Sequence, residues 1–124
     1  MWRKVNPNPA NKNVGDCVVR AISMAYDRPW LSVYDDICLT GREEFDMPNS
    51  DAVWGLFLFR QGSEPFVLPS RCPRCLTVDA FSKLYPRGVY IIGTGSHAVA
   101  VIDGDYYDSW DSGNQIASYF WRVI

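Results

Sequence analysis

Apolar residues recur at three- and four-residue steps through the first half of the chain and fall in short unbroken runs through its last third. Over residues 17–26, Val18, Val19, Ile22, Ala25 and Tyr26 trace the broad buried face of a helix. Pro29 stands where a second helix can begin, and Val33, Tyr34, Ile37 and Cys38 carry the period until Gly41 is expected to stop it. Asn49 or Ser50 can cap a third helix, in which Val53, Trp54, Phe57, Leu58 and Gln61 keep the same spacing up to Gly62. After Pro65 the character changes. Residues 66–68 predict a short strand, residues 70–75 a turn, and Thr77 the cap of a brief helix that Pro86 and Gly88 terminate. Residues 89–92, 97–102, 105–110 and 118–123 are strand material. Between the second and third of these, Asp103-Gly104 marks a two-residue hairpin, because both central positions of a type I′ turn take positive φ. Residues 1–12, rich in Asn and Pro, predict an extended arm laid over the domain rather than an element of its own. Helices packed on a following C-terminal antiparallel sheet give an α+β fold, in one domain over residues 1–124.

Composition narrows the function classes. With 124 residues, 48 % hydrophobic and 15 % aromatic, the chain can bury a substantial single core. A net charge of −2 and scattered basic residues leave no footprint for nucleic acid or an anionic membrane, so neither is expected as a partner. No apolar run approaches the roughly 18 residues of a membrane span, and the first residues lack the apolar block of a secretory signal, so a cytoplasmic chain is expected. In that compartment Cys17, Cys38, Cys72 and Cys75 are expected as reduced thiols or metal ligands. Cys72 and Cys75 have zinc-knuckle spacing, but a four-ligand site needs a further pair, drawn from Cys38 and either Cys17 or His97; no metal and no cofactor is expected.

The candidate chemistry begins at Gly15-Asp16-Cys17. Gly15 permits a sharp turn, Asp16 is a good N-cap, and Cys17 then stands at the positive end of the first helix beside free backbone N–H groups. Such a position lowers a thiol pKa and offers donors to a developing oxyanion. His97 is the sole histidine. A two-residue turn at Asp103-Gly104 puts Ile102 opposite Asp105 and makes Asp108 the diagonal neighbour of His97, within reach of its ring. Asp103, at the turn, is too far along the strand; a three-residue loop would shift the parity and bring up Asp111 instead. Trp110 should flank the imidazole and shield it together with Cys17. Nucleophile, base and orienting carboxylate thus occur in the order Cys17, His97, Asp108.

That order and the local contexts resemble the papain-like cysteine peptidase superfamily. Gly15-Asp16-Cys17 followed by a helix, and the block from Gly95 to Trp110 around His97, are similar to small phage- and prophage-encoded members related to bacteriocin-processing peptidases. The resemblance implies a papain-like fold, hydrolysis of a protein or peptide substrate through an acyl-thioester on Cys17, and a bacterial or phage-infected cytoplasm. In the family a glutamine six residues before the cysteine supplies an oxyanion donor; here that position is Asn11, with Asn13 a second candidate. The departure from glutamine admits another class of function, a catalytically silent papain-like domain that binds a protein partner. A zinc-stabilised structural domain is a third.

Overall fold

A computed structural model describes residues 1–123. Its elements are β1 (Trp2–Lys4), α1 (Cys17–Tyr26), α2 (Trp30–Glu43), α3 (Asp51–Arg60), β2 (Glu64–Val67), β3 (Leu76–Thr77), α4 (Val78–Leu84), β4 (Val89–Gly93), β5 (Ala98–Ile102), β6 (Asp105–Asp108), β7 (Ile116–Ala117) and β8 (Tyr119–Val123). The fold is α+β, with a six-stranded sheet in the order β1-β6-β5-β4-β8-β2 and a separate ladder of β3 with β7.

The sheet corrects two expectations. It is mixed rather than antiparallel, because β1 runs parallel to β6, with Trp2 opposite Tyr106 and Lys4 opposite Asp108. Residues 1–12 are accordingly not only an arm, since three of them form an edge strand. What fixes this strand lies about a hundred residues away: Trp2 Nε1 donates to the Asp108 carbonyl at 3.1 Å, and Arg3 Nε to Asp105 at 3.0 Å. A three-residue edge strand carries no periodicity of its own, so only its partner defines it.

The apolar strand runs are explained by burial on both faces. Ile91, Ala98, Ala100 and Trp121 pack against α1, α2 and α3, while Tyr90, Ile92, Val99, Val101 and Phe120 meet Val78 and Phe81 of α4 on the other side. Alternation is therefore apolar against apolar, as in a sheet covered twice. Small residues meet where α1 crosses β5: Ala98 and Ala100 on the strand and Ala21 on the helix are all essentially buried, which lets the helix lie close. This close approach sets the N-terminus of α1 beside the start of β5.

Asp103 and Gly104 take φ of 48° and 84°, and Ile102 pairs with Asp105, Val101 with Tyr106 and Ala100 with Tyr107. The two-residue turn thus fixes the expected register. Thr77 caps α4 by accepting from the Ala80 N–H at 3.1 Å. Helix α2, by contrast, runs past Gly41 to Glu43. Gly41 serves a close approach instead: a Cβ there would stand 2.8 Å from the Asp46 carbonyl, where the following chain folds back. Cys72 and Cys75 form a disulfide, with Cα atoms 4.6 Å apart, which corrects the expectation of reduced or metal-binding thiols; Cys17 and Cys38 are free. The turn over residues 70–75 brings the two sulfurs within bonding reach. Among the described residues no group of three or more His, Cys, Asp or Glu side chains is placed to hold a metal ion.

Gly93 ends β4 under the ring of Tyr119, its cross-strand partner; an added Cβ would fall 2.1 Å from the ring. Gly93→Ala is therefore expected to destabilise the protein by about 1–3 kcal/mol through overpacking. A urea midpoint equal to that of the parent would contradict this.

Candidate active site

Three elements converge on one point: the N-terminus of α1, the turn entering β5 and the end of β6. Cys17 is the first residue of α1. His97 precedes β5, its carbonyl accepting from the Thr94 N–H at 2.9 Å, so the 94–97 turn fixes the imidazole's root. Asp108 closes β6 and is 2 % exposed.

The structure brings Cys17, His97 and Asp108 together. His97 Nε2 lies 2.5 Å from Asp108 Oδ2, and the imidazole and the Cys17 thiol wall the same cleft. Burial pushes the Cys17 thiol up, but the hydrogen bond with His97, a backbone hydrogen bond at Ala98 and the charges of His97 and Arg20 outweigh it, so the thiol titrates below its ordinary range. For His97, burial disfavours the cation, yet the bonds to Asp108 and Cys17 win and raise it to about 9. Asp108 is held low despite burial, by hydrogen bonds from His97 and Ser112, the His97 charge and the Ser109 N–H. All three directions favour one charge state, a thiolate beside an imidazolium that a carboxylate orients.

Asp108 is fixed on every side. Ser112 Oγ donates to Oδ2 at 2.6 Å, the Ser109 N–H to Oδ1 at 2.8 Å, and Arg20 Nη2 reaches Oδ1 at 3.3 Å. Arg20 also pairs with Asp16 one turn back along α1, and Trp30 Nε1 donates to the other Asp16 oxygen at 2.9 Å. The side chains of Asp16, Arg20 and Asp108 are each more than nine-tenths buried. This network explains why Asp16, at the N-cap position of α1, makes no side-chain cap hydrogen bond. Its carboxylate is committed elsewhere, and the first N–H groups of α1 stay open beside the thiol, where an oxyanion would need them.

Trp110 lies against His97, with ring centroids 4.8 Å apart, and is 43 % exposed, so it covers the imidazole from solvent. The cleft beside Cys17 has a volume of about 290 Å³ and is walled by His97 and Ala98, the 94–96 turn, and Asn49, Asp51 and Trp54 from the entry of α3.

The remaining sequence candidates lie elsewhere. Asn11 and Asn13, expected as oxyanion donors, line a separate depression with Lys4, Val5, Asn6 and Ser109, away from the walls of the Cys17 cleft. Asn11 Oδ1 accepts from Asn6, and its positive φ turns the arm at that point. Asn6 Nδ2 also donates to the Lys12 carbonyl at 3.1 Å, so the arm is tied to itself around Asn11. Asp111 accepts from the Tyr106 hydroxyl at 2.6 Å, and Asp103 from the Gly88 N–H at 2.9 Å.

Arg20, Ser112 and Asn49 were missed as site residues. Arg20 left a signal: a lone arginine inside the apolar run Val18, Val19, Ala21, Ile22, four residues after an aspartate. Ser112 and Asn49 left none beyond ordinary loop composition.

Neither a family model, nor a curated protein, nor a solved structure matches this chain. Among the described residues no helix is long and apolar enough to cross a membrane.

Proposed function

We propose that the chain is a small papain-like cysteine hydrolase, a peptidase or amidase of phage or prophage type that works on a protein or peptide substrate. The observation that carries this reading is the imidazole of His97, held by a buried Asp108 and sharing one cleft with the Cys17 thiol.

Each residue then has a role. The Cys17 thiolate attacks the carbonyl carbon of the scissile amide and forms a C–S bond. The carbonyl oxygen gains charge against the free N–H groups at the start of α1. His97, as imidazolium, gives its proton to the amide nitrogen, and the C–N bond breaks to leave an acyl-thioester and a free amine. His97, now neutral, takes a proton from water; the hydroxide adds to the thioester carbon and the C–S bond breaks, restoring the thiolate and imidazolium. Asp108 keeps Nε2 of the ring occupied throughout. No metal or cofactor enters any step.

The pH dependence follows from the two shifts. Below the lowered thiol pKa, Cys17 is protonated and inert; above about pH 9, His97 has lost the proton it must donate. Hydrolysis is expected to hold a plateau from the lowered thiol pKa up to about 9 and to fall beyond it, read as kcat/KM against pH. A profile already falling near the ordinary imidazole value, about 6.5, contradicts the ion pair.

A second reading has one observation in its favour: Asn11 stands where the family has glutamine, and its Oδ1 accepts from Asn6 within the arm. In that reading the domain binds a protein partner without turning it over. Turnover on a panel of peptide and isopeptide substrates separates the two, since a silent module hydrolyses none of them even with a reactive thiol.

A further inference from the structure

Beside the Cys17 cleft lies a second cavity of about 330 Å³, between the start of α1, the outer face of α2 and the 47–49 loop. Its walls are largely apolar: Val19, Trp30, Tyr34, Ile37, Cys38 and Met47. Trp30 and Tyr34 stack at 5.0 Å to make one flat side, and Val14, Tyr34 and Met47, all 45 % exposed or more, form an open rim. The one ionisable carboxylate in its lining, Asp16, is turned into its pairing with Arg20 and Trp30. Gly15, Val18 and Asn49 line this cavity and the Cys17 cleft alike, so the two adjoin.

We infer that this groove is the specificity pocket of the Cys17 site, and that it takes a bulky apolar side chain, Leu-like or Phe-like, from the residue adjoining the scissile bond of a polypeptide substrate. The inference rests on the hydrolase reading and gives it a substrate class. Size and lining select the occupant. A dry apolar cavity of about 150 Å³ holds a benzene ring, so this one takes an aromatic or branched side chain with its neighbouring backbone and is too small for a docked helix. A charged side chain would lose its hydration against walls that offer no counter-charge. Asn49, exposed where cleft and groove meet, is positioned to receive the polar backbone of the same segment. Burying one bulky apolar side chain is worth roughly 10- to 200-fold in discrimination over its absence.

The test uses the full chain and a set of iodoacetyl amino-acid amides carrying Gly, Leu, Phe, Asp or Lys, with iodoacetamide as the reference. Labelling at Cys17 is followed by peptide mapping, which separates it from Cys38. The Leu and Phe reagents are expected to label Cys17 at least about tenfold faster than the Gly, Asp and Lys reagents, with saturation kinetics. Cys38→Trp fills the groove from its wall and Tyr34→Glu places a charge on its rim; either is expected to bring all reagents within about twofold of the Gly reagent and to leave the iodoacetamide rate unchanged. The exposed Tyr34 keeps the test open should Cys38→Trp fail to fold. Rapid iodoacetamide labelling with equal rates for all five amides overturns the pocket and leaves the hydrolase reading standing. Slow labelling by iodoacetamide itself overturns the hydrolase reading, and the pocket with it.

Discussion

Replacing His97 with alanine is expected to slow iodoacetamide labelling of Cys17 at pH 6 by at least about tenfold. In the parent, burial pushes the thiol up, and the interaction with His97 is the largest influence that brings it below its ordinary range; without the imidazole the thiol moves back up. Each unit by which a thiol pKa stands above the working pH removes tenfold of thiolate and returns about threefold in intrinsic nucleophilicity, a net loss of about threefold per unit. The measurement is made in a Cys38→Ser background, so that one free thiol remains. Equal rates in parent and variant would show that the imidazole does not activate Cys17.

The second large effect concerns folding. Arg20→Met is expected to lower stability at neutral pH by about 2–4 kcal/mol, read from urea unfolding. Arg20 bridges Asp16 and Asp108, and all three side chains are more than nine-tenths buried. Removing one partner of a buried ion pair costs about 3–5 kcal/mol, because a charge is left without compensation. One term opposes this: Arg20 Nε is buried without a hydrogen-bond partner among the described residues, and deleting that orphan donor returns about 1 kcal/mol or more. The ion pairs win: Asp108 keeps His97, Ser112 and the Ser109 N–H, but Asp16 is left buried with only the Trp30 N–H against its charge. Adding Asp16→Asn to Arg20→Met removes that stranded charge and is expected to recover at least about 1 kcal/mol. A single variant as stable as the parent would mean that the network carries no net stability.

The same arginine marks the limit of what the chain reveals before folding. The histidine hairpin was legible because its register depends on two local residues: Asp103-Gly104 dictates the turn, and parity then carries Asp108 toward His97. Cys17 was legible for the same kind of reason, since a glycine, a capping residue and a helical period sit side by side. Contacts made at long range were not. The pairing of β1 with β6 joins residues about a hundred positions apart, and three residues hold no pattern that names a partner. Asp16 invited a capping role from its neighbours, yet Trp30 and Arg20 take its carboxylate, and nothing within one turn announces that competition. Asn11 and Asn13 were placed by their distance along the chain from Cys17, but the arm closes on itself through Asn6 and Asn8 and carries them to another surface. Gly41 reads locally as a helix stop; the observed reason for a glycine, the approach of the Asp46 carbonyl, belongs to tertiary structure. Local chemistry thus marked Cys17, His97 and Asp108, while the buried cation behind them and the apolar groove beside them exist only once α1, α2 and the sheet have packed.

The central claim, that Cys17 works as a nucleophile driven by His97 and Asp108, meets its most direct test in a burst experiment with p-nitrophenyl acetate. The account predicts a rapid release of about one equivalent of p-nitrophenolate per chain, followed by slower turnover, with one acetyl group on Cys17 by mass spectrometry of the quenched enzyme. Cys17→Ser and His97→Ala should abolish the burst. Release without a burst, or an acetyl group found on Cys38 or a lysine while Cys17 stays free, would contradict it.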